Sequence, residues 1–464
     1  MYGRVNEETV AALREIAGPE DVLLGEATEP YTHDETVGVR GEPEVVVRAQ
    51  NTEEVSAILK LAQRERIPVT PRGAGTGLSG GAVPLYGGIV LSLEKMNRIL
   101  ELDRENLMVT VEPGLITGEL HRFVEAEGLF YPPDPASLDS CSIGGNIAED
   151  SGGPRAVKYG VTRHYVCGLE AVLPTGEVVT WGGKRVKDVT GYNLAQILVG
   201  SEGTLAVITK IILRLLPLPR ERVDLLVPYD DFQAAADTVS AIIARRILPA
   251  TIEFMERDSV LASERLLQKQ VPYDDAAAHL LIMLDGNTPE AVEAEYQEVG
   301  DLCLEYGARD VLVAKDRATR DRLWEARRKI IEALKAESPV NHMEDVVVPR
   351  AQIPALLRGI REIAGRHRVR IVSFGHAGDG NVHVNVLKDD LPLERWGELV
   401  EQVSGEIYRL TLDLGGTITG EHGIGCTRRP YLLWALGESQ VELMRRIKAA
   451  FDPHNILNPG KVFL

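Results

Sequence analysis

The pattern of hydrophobic and polar residues changes once along the chain. Up to about residue 219, short apolar runs typical of strands alternate with single amphipathic helices and long glycine-rich stretches. Beyond it, helices with apolar residues at i, i+3 and i+4 follow strands in regular succession. Helices packed on one face of a sheet explain this second pattern. The pattern predicts an α+β fold class, with a domain boundary at the Pro-Leu-Pro sequence of residues 217–219.

Two β-prone runs flank an Asp-Gly turn within residues 371–386, which predicts a β-hairpin. His383 and Asn385 are two residues apart and share one face of the second strand, whereas the valines that alternate with them take the other face. Hairpin pairing can bring His376 beside His383. We interpret this patch as a site for a metal or an anionic substrate; the alternative is two histidines that are satisfied within a polar turn.

Glycine-rich segments interrupt the first part of the chain. Residues 67–84 contain G-x-G-x-x-G, from Gly75 to Gly80. A Rossmann site requires this motif to open a helix, but here a proline, two glycines and a strand-like run follow. A bare loop with free N–H groups can instead surround a diphosphate. The alternative for residues 67–84 is a flexible linker, and the segments 131–153 and 200–204 have a similar composition.

A further glycine-rich stretch, residues 415–425, has Glu421 and His422 at its centre. Together with Glu421, His376 and His383 form a candidate site for zinc, manganese or iron(II). A 2-hydroxy acid can chelate such an ion, which would lower the pKa of its hydroxyl group. His422 is the candidate general base, because imidazole titrates near neutral pH. Oxidation at carbon also releases a hydride, which only a bound cofactor can accept.

Composition excludes several classes of function. The net charge of −18 argues against a nucleic-acid partner. No apolar run is long enough for a membrane span, and the N-terminus has no signal-peptide pattern. The four cysteines are dispersed without a CxxC pair, which disfavours an iron–sulfur cluster and suggests a cytoplasmic setting.

Six motifs together resemble a known family, the FAD-linked D-2-hydroxy acid dehydrogenases of the vanillyl-alcohol-oxidase-type flavoproteins. The motifs are PRGAGTGLSGG, CSIGGNIAEDSGG, GSEGTLAVIT, HAGDGNVHVN, GEHGIG and LNPGK, in this order over nearly the whole chain. The most similar groups are glycolate oxidase catalytic subunits and D-lactate dehydrogenases. The resemblance implies an FAD-binding domain of two α+β subdomains over 1–219, and an α+β cap domain with an antiparallel sheet over 220–414. A C-terminal segment, 415–464, would return to the FAD domain.

The resemblance also assigns roles to residues. It implies that His376, His383 and Glu421 bind the metal, that Arg327 and Asn385 bind substrate, and that His422 both contacts substrate and acts as the base. FAD is expected to be noncovalent because the first glycine-rich loop has no His or Cys, although His164 and Cys141 are not excluded as attachment points. The residues expected to bind FAD are Pro71, Arg72, Gly73, Ala74, Gly75, Thr76, Gly77, Ser79, Gly80, Pro135, Ser142, Gly144, Gly145, Asn146, Gly153, Tyr159, Gly160, Glu202, Gly203, Val207, Ile208 and Asn458.

The expected reaction is oxidation of D-lactate or glycolate to the 2-oxo acid, with hydride transfer to flavin N5. Ile331 stands where D-2-hydroxyglutarate dehydrogenases have a threonine for the second carboxylate, and an apolar side chain cannot satisfy that charge. Electrons would then pass to a separate acceptor, either an electron-transfer flavoprotein, an iron–sulfur subunit or a quinone-linked partner. The alternatives are a D-2-hydroxyglutarate dehydrogenase, an oxidase that uses oxygen, and a flavin-binding electron-transfer subunit of a glycolate oxidase complex. For the oligomeric state, a homodimer is a further alternative.

Overall fold

The computed structural model describes residues 2–463, and their contacts divide the chain into two compact units. The first unit contains the chain up to Ser151, Val161–Leu218 and the segment from Glu421 onward. The second contains Gly152–Gly160 and Pro219–Gly420. The sequence predicts domain boundaries after residues 219 and 414. In the structure, the chain passes from one unit to the other after residues 218 and 420.

The strands of the described residues are, in chain order, β1 (Val22–Leu23), β2 (Val45–Arg48), β3 (Val69–Arg72), β4 (Ile89–Ser92), β5 (Ile99–Asp103), β6 (Met108–Val111), β7 (Leu129–Phe130), β8 (Val166–Val172), β9 (Val178–Gly182), β10 (Val207–Arg214), β11 (Leu216–Pro217), β12 (Glu221–Tyr229), β13 (Thr251–Glu256), β14 (Ala278–Gly286), β15 (Leu312–Ala314), β16 (Asn341–Val347), β17 (Arg370–His376) and β18 (Asn381–Leu387).

The α-helices are α1 (Glu7–Ala17), α2 (Thr52–Glu65), α3 (Thr117–Ala126), α4 (Ile143–Glu149), α5 (Ala156–Tyr159), α6 (Leu194–Leu198), α7 (Phe232–Ala244), α8 (Arg257–Leu267), α9 (Pro289–Glu305), α10 (Arg317–Arg328), α11 (Ile330–Glu337), α12 (Ile353–His367), α13 (Leu393–Asp413), α14 (Leu432–Leu436) and α15 (Glu438–Phe451). None of these helices combines the length and the apolar character that a membrane crossing requires.

The first unit contains two main sheets, as expected for two α+β subdomains. One has the order β1-β2-β4-β3, with β4 parallel to both β2 and β3, and the other is antiparallel with the order β5-β6-β10-β8-β9. Helix α2 shows why the local sequence folds this way. The side chain of Asn51 accepts a hydrogen bond from the Glu54 N–H at 2.9 Å, and the helix ends where Arg66 takes a left-handed conformation. Its apolar face lies in the core beside the first sheet.

The second unit is built on one antiparallel sheet of seven strands, in the order β15-β12-β14-β13-β17-β18-β16. This sheet confirms the antiparallel sheet that the sequence predicted for the cap. Strands β17 and β18 form the expected hairpin, and they lie inside the sheet because β13 and β16 pair with their outer edges. The hairpin histidines are therefore held by paired backbone on both sides.

One sequence-based expectation is wrong in detail. The charged sequence of residues 316–336 predicts a single helix, but the structure has two, α10 and α11, because Lys329 leaves the helical conformation at ψ 3°. The polar face of the second hairpin strand is buried. Strand β16, which periodicity did not reveal, pairs along all of β18, and every residue of β18 is buried.

Candidate functional site

The hairpin brings its two histidines together, as predicted. In the register, Phe374 lies opposite His383, so His376 is the diagonal neighbour of His383 on the same face. The two imidazole rings have centroids 5.2 Å apart and are nearly perpendicular at 86°. Rings bound to one tetrahedral ion have centres roughly 5 Å apart, because each metal–nitrogen bond is about 2.0–2.1 Å. The geometry of this pair therefore fits a shared metal ion.

Asp345 is a further acidic residue beside this pair, and sequence reasoning missed it. It lies opposite His383 in the register of β16 and β18, is fully buried, and has Oδ1 3.6 Å from Nδ1 of His383. Its carboxylate also accepts hydrogen bonds from the Asn381 side chain at 2.7 Å and the Gly420 N–H at 2.9 Å. Asp345 thus fixes both the hairpin turn and the backbone that leads directly into Glu421. The sequence signal was an acidic residue just before the apolar run at 346–348.

Arg327 reaches the same region from helix α10. That helix begins at Asp316, whose side chain accepts from the Thr319 N–H at 2.9 Å, and it buries one side into the core of the second unit. Arg327 lies on this side, with its guanidinium carbon 4.7 Å from the centre of the Phe374 ring. Nη2 of Arg327 lies 2.6 Å from Oε2 of Glu253, and the other oxygen of Glu253 lies 2.7 Å from Nδ1 of His376.

The guanidinium of Arg327 has unused hydrogen-bonding capacity. Its side chain is only 7% exposed, and its Nε has no hydrogen-bond partner among the described residues. A buried donor without an acceptor costs free energy, and a carboxylate that receives two parallel N–H bonds is the usual partner of a guanidinium. The arrangement is suited to a small anionic ligand bound next to His376.

Asn385 follows His383 on the same face of β18 and is also buried. Its side-chain amide donates to the carbonyl oxygen of Val372 on β17 at 3.3 Å. This bond sets the orientation of the side-chain amide.

In the first unit, the loop after β3 provides a cradle of backbone N–H groups. None of the N–H groups of residues 74–79 donates a hydrogen bond to another residue in the described part of the chain. The hydroxyl of Ser79 is likewise buried without a partner there. Donors without acceptors in a glycine-rich loop are what an anionic diphosphate requires. The loop therefore fits the diphosphate of FAD, and its backbone groups come from Ala74, Gly75, Thr76, Gly77, Leu78 and Ser79.

Further predicted cofactor residues surround this loop. A Cβ on Gly73 would lie 2.3 Å from Oγ of Ser142, so the first two glycine-rich segments touch each other. Ser142 caps helix α4 by accepting from the Gly145 N–H at 3.3 Å, and a Cβ on Gly144 would lie 2.6 Å from a carbon of Pro113. Only glycine permits these close backbone approaches.

The third segment and the C-terminal tail meet at Asn458. Its side-chain amide donates to the carbonyl oxygens of Gly81 at 3.0 Å and Glu202 at 2.8 Å. The carboxylate of Glu202 accepts from the N–H groups of Ile424 at 2.7 Å and Gly425 at 2.6 Å. Burial raises the pKa of Glu202, although both N–H donors favour its charged form. The Glu202 side chain thus anchors the glycine-rich stretch that carries Glu421 and His422.

Two other residues predicted to bind the cofactor, Arg72 and Tyr159, use their side chains for hydrogen bonds to other parts of the protein. The Arg72 guanidinium donates to the carbonyl oxygens of His33 at 2.8 Å and Pro30 at 3.1 Å, and burial lowers its pKa. Its side chain therefore braces residues 30–33. The hydroxyl of Tyr159 donates to Asp285 at 2.7 Å. Of the remaining predicted cofactor residues, Gly153 and Gly160 lie in the second unit. Those in the first unit are Gly80, Pro135, Asn146, Gly203, Val207 and Ile208. The carbonyl oxygen of Pro135 accepts a hydrogen bond from the Leu138 N–H at 2.9 Å.

Glu421 and His422 are adjacent and partly buried in the first unit. Nε2 of His422 lies 3.7 Å from Oε1 of Glu421. Each predicted ligand or base is therefore present as a partly or fully buried side chain: His376 and His383 in the second unit, and Glu421 and His422 in the first.

Comparisons with known proteins agree on one family. Residues 43–182 match the model of an FAD binding domain, and residues 218–462 match that of the C-terminal domain of FAD linked oxidases. The glycolate oxidase subunit GlcD of Bacillus subtilis is 44% identical over 99% of this chain and 97% of its own length. A D-lactate dehydrogenase of Anaerostipes hadrus is 41% identical over 100% of this chain and 98% of its own. The 4-ethylphenol oxidase of Gulosibacter chungangensis covers 100% of this chain with 99% of its own, at 20% identity and a TM-score of 0.80, so it shares the fold.

Proposed function

Because the chain belongs to the FAD-linked oxidase family and carries an FAD-binding domain, we propose that it oxidises D-lactate or glycolate to the corresponding 2-oxo acid. Bound FAD would supply the hydride acceptor at N5. The observation that carries the choice of substrate class is the buried guanidinium of Arg327, whose Nε has no hydrogen-bond partner among the described residues and which shares the carboxylate of Glu253 with His376. A 2-hydroxy acid offers the carboxylate that this guanidinium requires.

The residues of the chain divide the remaining tasks. Arg327 holds the substrate carboxylate, and Asn385 contacts the substrate beside it. His376 and His383, with Glu421 as the third ligand inferred from sequence, would bind a zinc, manganese or iron(II) ion, which would supply a lower pKa for the substrate hydroxyl. His422 would take the hydroxyl proton as general base. With carboxylate and hydroxyl both held, only one enantiomer would present its C2 hydrogen for transfer, and the family resemblance points to the D form.

FAD is expected to bind without a covalent link. The thiol of Cys141 is buried and donates to Oγ1 of Thr117 at 3.3 Å, and burial raises its pKa, which disfavours a reactive thiolate. Nδ1 of His164 accepts a hydrogen bond from the Val161 N–H at 3.1 Å. Neither side chain is set up as a nucleophile toward the flavin.

Reduced flavin would pass its electrons to a separate protein. The relative from Bacillus subtilis is named as a subunit, which suggests an assembly for that protein. By the same logic, we infer that this chain works with an electron-transfer flavoprotein, an iron–sulfur subunit or a quinone-linked partner. Rapid reoxidation of the reduced flavin by air alone would favour the oxidase alternative instead.

The test is anaerobic reduction of the bound flavin by a panel of 2-hydroxy acids. D-lactate or glycolate should bleach the flavin, and L-lactate should not. D-2-hydroxyglutarate should be poorer by roughly a thousandfold in kcat/KM, because an unpaired second carboxylate near apolar Ile331 costs at least several kcal/mol. Ile331 is partly buried and packs on the core of the second unit. No bleaching by any D-acid would contradict the function, and equal efficiency on D-2-hydroxyglutarate would contradict the substrate choice.

A further inference from the structure

Glu253 is a buried carboxylate whose two oxygens contact two different residues of the candidate site. Oε1 lies 2.7 Å from Nδ1 of His376, and Oε2 lies 2.6 Å from Nη2 of Arg327. The Glu253 side chain is completely buried. The position follows from the sheet, because the register of β13 and β17 places Glu253 directly opposite His376.

The contact with His376 determines which ring nitrogen carries the proton. An ionised carboxylate only accepts hydrogen bonds, so Nδ1 of His376 must be the donor to Glu253. A neutral imidazole with its proton on Nδ1 presents its lone pair at Nε2, which is the atom through which His376 would bind a metal. Carboxylates that hold metal-binding histidines in this way typically change metal affinity about 10–100-fold when they are removed.

The contact with Arg327 has a different character. Although the atoms are 2.6 Å apart, Oε2 of Glu253 and Nε of Arg327 both lack a hydrogen-bond partner among the described residues. The pair is therefore a charge contact without hydrogen-bond alignment. Glu253 compensates the buried positive charge and leaves the Nε–H of the guanidinium for another anion.

We propose, on the basis of the function proposed above, that Glu253 is a positioning residue that couples the two anchors of the substrate. One carboxylate sets the metal-binding tautomer of His376 and holds Arg327 in place. It thereby fixes the separation between the point that binds the hydroxyl oxygen and the point that binds the carboxylate of a 2-hydroxy acid. Loss of its charge weakens metal binding and substrate binding together, which a role in folding alone does not predict.

The test compares Glu253→Gln with Glu256→Gln, both purified with FAD. Glu256 is the matched control, since it lies on the same strand and is mostly buried. It accepts from the Ser373 N–H at 3.1 Å and pairs with Arg361 at 2.8 Å, and it touches none of the candidate site residues. Three quantities are measured for each protein: the dissociation constant for Mn²⁺, KM and kcat for D-lactate or glycolate, and thermal stability with flavin content.

In Glu253→Gln we expect the Mn²⁺ dissociation constant to rise about 10–100-fold and KM to rise about tenfold or more, while flavin content is kept. Glu256→Gln should change stability alone. Mn²⁺ affinity and KM within twofold of wild type in Glu253→Gln would overturn the inference. If Glu253→Gln fails to bind FAD, Glu253→Asp is tested instead, because a side chain shorter by one methylene cannot reach both His376 and Arg327. An unchanged Mn²⁺ dissociation constant and KM in Glu253→Asp would also overturn the inference. A wild-type protein that neither binds Mn²⁺ nor is reduced by these acids would instead overturn the proposed function, and the inference with it.

Discussion

At the scale of single residues, unsatisfied hydrogen-bonding groups mark both candidate sites. In the second unit they are the buried Nε of Arg327 and Oε2 of Glu253, and in the first unit the hydroxyl of Ser79 and the N–H groups of residues 74–79. Folded proteins satisfy nearly all buried polar groups, so a concentration of exceptions points to ligands. The donors of both sites call for anions, a carboxylate in the second unit and a diphosphate in the first.

His422 carries the residue-scale prediction. In His422→Gln the rate of flavin reduction by D-lactate should fall about 10²–10⁴-fold, because the general base for the hydroxyl proton is lost. FAD content should change little, because the residues proposed to hold the flavin are those of the loop 74–79, Ser142 and Asn458. Stopped-flow absorbance under anaerobic conditions measures the rate. His454→Gln, a change at an exposed histidine of the same unit, is the control. A variant at position 422 that reduces its flavin as fast as wild type would remove this residue from the mechanism.

Sequence reasoning found the residues whose motifs are local and missed those whose partners are distant. His376 and His383 stand around one turn, so their proximity follows from hairpin pairing. Glu253 is 123 positions away from His376 in the sequence. It begins the Glu-Phe-Met-Glu sequence at the end of a strand, and nothing in that local sequence shows which residue Glu253 faces. Its only local signal was an acid between apolar residues, Ile252 and Phe254, within the strand. Asp345 was missed for a similar reason, because its strand was not predicted.

At the scale of elements, turn and cap chemistry predicted more than periodicity did. The sequence Asn-Thr-Glu-Glu from Asn51 is typical of a helix start, and Asn51 indeed caps helix α2. Periodicity failed at β16, whose sequence NHMEDVV shows no clean alternation, since the strand is buried through tertiary pairing with β18. It also failed at Lys329, where the chain leaves the helical conformation although no proline or glycine interrupts residues 316–336.

The hairpin turn gives the element-scale prediction. Gly380 has φ +94°, and a Cβ there would lie 2.0 Å from the carbonyl oxygen of Val348. Gly380→Ala should therefore cost about 1–3 kcal/mol and lower Tm by roughly 2–12 °C, with weaker metal binding because both histidines flank the turn. Gly397→Ala, within helix α13 and with open space around it, should instead raise stability by up to about 1 kcal/mol. Calorimetry on both variants decides, and an unchanged Tm in Gly380→Ala would show that the turn tolerates a side chain.

At the scale of the whole molecule, the two units carry different chemistry. The glycine-rich loops that fit FAD, with the tail that supports them through Asn458, belong to the first unit. The histidines, Arg327 and Glu253 belong to one sheet and one helix of the second. The chain returns to the first unit with Glu421 and His422, so the proposed ligand set draws on residues of both. Flavin binding and substrate activation are thus assigned to residues that can be perturbed separately.

Removal of the metal tests this separation. Prolonged dialysis against a strong chelator should leave the flavin bound, because the residues proposed to hold it, 74–79, Ser142 and Asn458, do not include the histidine pair. The same treatment should abolish most of the flavin reduction by D-lactate, because the substrate hydroxyl then keeps its ordinary high pKa and loses one of its two anchors. Mn²⁺ or Zn²⁺ added back should restore it in wild type but not in His376→Ala, which lacks a ligand. Metal content by mass spectrometry and flavin absorbance are followed in the same samples. Full reduction by metal-free protein would show that the histidines serve another purpose, whereas loss of flavin on chelation would show that metal and FAD sites depend on each other.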